Sequence, residues 1–107
     1  METETGKQED AAMIDHWRKE LLDGGATEDE IEKKVGYLVE FCDFANETPS
    51  GLVRSVLKDG KVIISKRKAL EETIERFAGD SVEKANAVRS FMIHNGVRMI
   101  APRPPWL

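Results

Sequence analysis

The chain of 107 residues has little of what most catalytic or membrane proteins need. Its single cysteine, Cys42, excludes an intramolecular disulfide and a cysteine-built zinc site. His16 has no cysteine or second histidine near it in sequence, so no metal is assigned. There is no run of about 18 apolar residues, which excludes a transmembrane helix. The opening METETGKQED is acidic and polar, unlike a secretory leader, so a cytoplasmic protein without a membrane partner is expected. A glycine-rich phosphate loop and a nucleophile–base pair are also missing. An enzyme is therefore the least expected class, and no catalytic residue, cofactor or small-molecule substrate is assigned.

What is present describes one ordinary domain with one modest core: 40% hydrophobic and 34% charged residues. The net charge of −4 is unevenly placed. Residues 1–49 hold five basic and fourteen acidic side chains, a net of −9, and residues 50–107 hold eleven and six, a net of +5. An anionic partner would meet the second half. The alternative is that the two halves attract each other across the fold.

Apolar spacing predicts an all-α bundle of four to five helices over residues 10–100, between a disordered tail at 1–9 and a proline-rich tail or linker at 101–107. The first helix is expected at Asp10–Asp23, with Ile14, Trp17 and Leu21 on one face, stopped by Gly24-Gly25. Thr27 and Glu30 form a capping box for the second. Its stripe Ile31, Val35, Leu38, Cys42 and Ala45 adjoins Tyr37, Phe41 and Phe44, a width that predicts a central helix. Cys42 and Tyr37 read as core or core-edge residues.

Thr48-Pro49 opens a short third helix to about Lys58, and Asp59-Gly60 is a turn. Lys61–Ser65 is a connector, either extended or leading into a fourth helix at Ser65–Ala78. Asp80 or Ser81 caps the fifth, with Asp80 and Glu83 in capping-box spacing; Val82, Ala85, Val88 and Met92 face inward, and Asn95-Gly96 ends it.

The order of these pieces resembles a known family. TEDEIEKKVGYLVEFCDF, Thr27 to Phe44, is similar to a helix of tyrosine recombinases and phage integrases that carries spaced tyrosine, leucine and phenylalanine residues. TPSGLVRSVL resembles the segment that follows in archaeal relatives. SVEKANAVRSFMIHNGV is similar to a third family segment, most specifically at Val88-Arg89-Ser90-Phe91 and Asn95-Gly96-Val97, with Ala85-Asn86-Ala87 where the family often has Thr-Ile-Asn. The resemblance covers about residues 12–105 and points to the N-terminal core-binding, SAM-like domain of archaeal-type integrases.

That resemblance implies a helical bundle that clamps one side of double-stranded DNA. A separate catalytic domain, with a tyrosine nucleophile and an Arg/His/Lys set, closes the other side. The one tyrosine here lies in a core helix, so the chain is not expected to cut DNA alone. It reads as a piece of a longer integrase or a stand-alone remnant, partnered by a catalytic domain or by other copies of itself. The proline segment would take the place of the interdomain linker.

Candidate DNA contacts are Lys66, Arg67 and Lys68, three cations that oppose the dipole at a helix start, and Lys84, Asn86, Arg89 and His94 on the outer face of the fifth helix. Lysine and arginine would hold phosphates, and Asn86 would read a base edge. Arg89 has a competing role, packing its stem on the core and pairing with an acid. Two other readings stand beside this one. Residues 69–95 have the outline of a helix-turn-helix regulator, and the negative net charge suits a helical protein-interaction domain.

Overall fold

Thr27 and Thr48 do what their positions predict: each hydroxyl accepts a hydrogen bond from a backbone amide in the first turn of the helix it opens. The computed structural model describes residues 2–99, and only the backbone of 2–7. Five helices are present: α1 Glu2–Asp23, α2 Glu28–Ala45, α3 Pro49–Val56, α4 Ile64–Ala78 and α5 Val82–His94. They form an all-α bundle with one two-stranded ribbon, β1 Leu57–Lys58 and β2 Lys61–Val62. The proline-rich segment 101–107 lies outside the described residues.

α1 begins at Glu2, earlier than the start expected at Asp10. Acidic residues at a helix start suit the dipole, and two side chains fasten this part of α1 to α3. Glu9 pairs with Arg54, and Asp10 Oδ1 accepts the Ser50 amide at 2.8 Å.

α3 is two residues shorter than expected, because Leu57 and Lys58 turn into the ribbon. The ribbon resolves the ambiguous segment that follows. Asp59 and Gly60 both have positive φ, 54° and 78°, as a type I′ hairpin turn requires, and Lys58 faces Lys61 across it.

The core contains Trp17, Leu38, Phe41, Val56, Ile74, Val88, Phe91 and Met92, all fully buried. Each such side chain contributes about 1.5–3 kcal/mol on burial. Trp17 from α1 meets Phe91 from α5 edge to face, with ring centroids 5.4 Å apart, and its indole Nε1 donates to Ser90 Oγ at 3.0 Å.

α2 packs against α1, α4 and α5, as expected of a central helix, but α5 is the more fully buried of the two. Ala85, Asn86, Ala87, Val88, Ser90, Phe91 and Met92 are all buried, whereas α2 buries the stripe Ile31, Val35, Leu38, Phe41 and Cys42 and leaves Phe44 exposed. Alanine and serine on α5 let α1, α2 and α4 approach it closely, so its polar sequence conceals its position. Ser81 caps it, accepting the Lys84 amide at 3.2 Å. Glu83 points instead to Lys33, 3.0 Å away, and Val82 is 60% exposed, outside the buried stripe assigned to it.

Candidate nucleic-acid interface

The burial of α5 changes the meaning of its polar residues. Asn86 is only 5% exposed and its Oδ1 is buried without a hydrogen-bond partner among the described residues, so the expected base reader lies inside the bundle. Arg89 takes the competing role foreseen for it. Its Nε and Nη2 both lie 2.9 Å from Glu71 Oε1 on α4, and the two side chains are 14% and 10% exposed. Such a pair fixes the packing of two helices and leaves little of Arg89 for a phosphate.

Lys84 and His94 remain nearer the surface but are engaged. Lys84 Nζ lies 5.6 Å from the Phe77 ring centroid, 5.8 Å from that of Tyr37 and 3.6 Å from Glu40. His94 Nδ1 is 2.6 Å from Glu20 Oε1. His16 Nε2 lies 3.4 Å from the same oxygen and 3.1 Å from the His94 carbonyl. The hydrogen bond with His94, opposed by slight desolvation and aided by the charges of both histidines, holds the Glu20 carboxyl below its usual range. Among the described residues no group of three His, Cys, Asp or Glu side chains is arranged to hold a metal ion.

These contacts also bear on the helix-turn-helix reading. A recognition helix needs a free polar face to enter a groove. α5 exposes Val82, Glu83 and Ile93, and its remaining polar residues are buried or paired. Across the molecule, Arg54–Glu9, Lys84–Glu40 and His94–Glu20 join the acidic first half to the basic second half. Part of the charge asymmetry is therefore satisfied within the fold.

One basic segment stands apart from this pairing. From Leu57 to Lys68 the chain carries Lys58, Lys61, Lys66, Arg67 and Lys68 against the single acid Asp59. None of the five has a carboxylate partner among the described residues. Lys58 and Lys61 are cross-strand partners, so both side chains leave the same face of the ribbon.

Lys66, Arg67 and Lys68 follow at about 100° steps around the first turn of α4, and so do not share one face. Lys66 borders a groove toward α3. Arg67 Nη1 donates to the Arg98 carbonyl at 3.1 Å, and Lys68 is exposed. The Ile63 cap supplies no side-chain acceptor to the first amides of α4, so the positive end of the helix adds to the cations around it.

Sequence reasoning missed Lys58 and Lys61. The signal was Asp59-Gly60: a type I′ turn brings its two flanking residues together.

Cys42 is buried in the α2 stripe, and desolvation, with Asp10, Asp43 and Glu47 nearby, pushes its thiol up to about 12. It packs as a core residue. No helix among the described residues is long and apolar enough to cross a membrane. No family model, curated protein or solved structure matches the chain.

Proposed function

We propose that this chain is a non-catalytic module that binds double-stranded DNA through its ribbon and the start of α4, as the resemblance to integrase core-binding domains leads one to expect. One observation carries the reading. The cations of α5 are matched by acids within the fold, whereas Lys58, Lys61, Lys66, Arg67 and Lys68 have no carboxylate partner among the described residues. Unmatched cations, two of them exposed on the ribbon, suit a phosphate backbone, which attracts charge and carries no sequence code. Base reading by Asn86 is not part of the proposal, because that side chain is buried. Strand cleavage would fall to a separate recombinase catalytic domain, with which this module, or further copies of it, would share the duplex.

Fluorescence anisotropy of a labelled duplex, titrated with protein at several salt concentrations, tests this reading. About four phosphate contacts predict a slope of log K against log salt near −3.6. Lys58→Ala and Lys68→Ala should each reduce that slope by about 1. No binding at about 50 mM salt and tens of micromolar protein, where non-specific DNA binders are already visible, would reject it.

A further inference from the structure

A groove of about 460 Å³ runs between the end of α2, α3 and α4. Phe44 and Leu52 line it on one side, Ala69 and Thr73 on the other, with Lys66 and Arg76 toward its ends. On α4 the spacing Lys66, Ala69, Thr73, Arg76 is one helical stripe, with small residues where larger ones would fill the space. Phe44 is 53% exposed, held in place by a tilted contact with Phe77 at 5.6 Å between ring centroids.

We propose that this groove docks an acidic amphipathic segment of a protein partner. The charge at its ends selects that occupant. Neither Lys66 nor Arg76 has a carboxylate partner among the described residues, and Arg76 Nη2 donates to Thr73 Oγ1 at 3.3 Å. The two cations are separated by about 15 Å of helix rise, the length of about ten helical residues. A segment with apolar side chains on one face and a carboxylate toward each end matches both the floor and the ends.

Glu47 also borders the groove, but its Oε1 already accepts the Thr48 amide at 3.0 Å, and the lining remains net positive. The chain's own residues 100–107 fit less well, because they contain Arg103 and no acid. The groove shares Lys66 with the proposed DNA-binding segment but includes neither ribbon lysine, Lys58 or Lys61.

Selection of a random dodecapeptide library against the full chain tests the proposal. Enriched peptides should carry Asp or Glu on both sides of an apolar centre. Synthetic copies should shift the amide resonances of Phe44, Ala69 and Thr73. Lys66→Glu and Arg76→Glu should each weaken binding about tenfold, the equivalent of about 1.4 kcal/mol. Thr73→Leu should abolish it by filling the groove. Lys58→Glu should leave it unchanged, which separates this site from the ribbon. The charge reversals alter exposed positions and leave the core intact, so they remain informative if Thr73→Leu perturbs folding. Failure to enrich any peptide, enrichment of peptides without acids, or resonance shifts elsewhere would overturn the proposal.

Discussion

Single residues in α5 exchange a presumed role at the surface for a structural one. Ser90 is the acceptor for the buried indole of Trp17, so Ser90→Ala should strand that N–H and cost about 1–3 kcal/mol in a urea titration. Glu71→Ala should cost about 3–5 kcal/mol, because it leaves the Arg89 guanidinium in the interior without this partner. The same variant should leave DNA affinity unchanged where the protein is still folded. Cys42 supplies a pH dependence. Its folded thiol is pushed up to about 12 from an ordinary value of 9.0, so the unfolded chain loses that proton first. The contribution to stability is complete below pH 9.0 and is lost as pH rises toward about 12. Denaturation curves measured across that window should fall less steeply for Cys42→Ala than for the parent chain.

At the scale of elements, the helix starts were legible because capping is local. The Thr27–Glu30 box is formed in both directions, with the Thr27 amide donating to Glu30 Oε1 at 2.9 Å and the Glu30 amide to Thr27 Oγ1 at 3.2 Å. Thr27→Ala should cost about 1 kcal/mol by the same urea measurement. The order of burial was not legible. α2 has the large apolar residues that mark a central helix, but α5 is buried more completely, through Ala85, Ala87 and Ser90, residues that any surface helix also carries. Periodicity records which residues tolerate burial, and packing decides which are buried. The basic start of α4 could be read from the sequence, but the pairing of Lys58 with Lys61 depends on the positive φ of both Asp59 and Gly60, which a β-branched run after a turn does not by itself specify. Gly60 has φ of +78°, so Gly60→Ala should cost about 1 kcal/mol and loosen the ribbon, lowering DNA affinity with it.

Over the whole molecule, charge is sorted and not merely balanced. Acids of the first half pair with Arg54, Lys84 and His94, and the excess positive charge is left on residues 58–68. A net charge of −4 therefore coexists with a local cluster of cations, and the acidic remainder would orient an approaching duplex toward the ribbon. Of the contacts expected from the sequence, those on α5 are buried or paired within the fold, and Lys66, Arg67 and Lys68 have no carboxylate partner among the described residues. The most direct measurement is an amide-resonance titration of the isotopically labelled chain with a short DNA duplex. The account predicts shifts concentrated at Lys58–Lys68 and their loss in the Lys58→Glu/Lys61→Glu variant. Shifts centred on Lys84 and His94, or none at low salt, would contradict it.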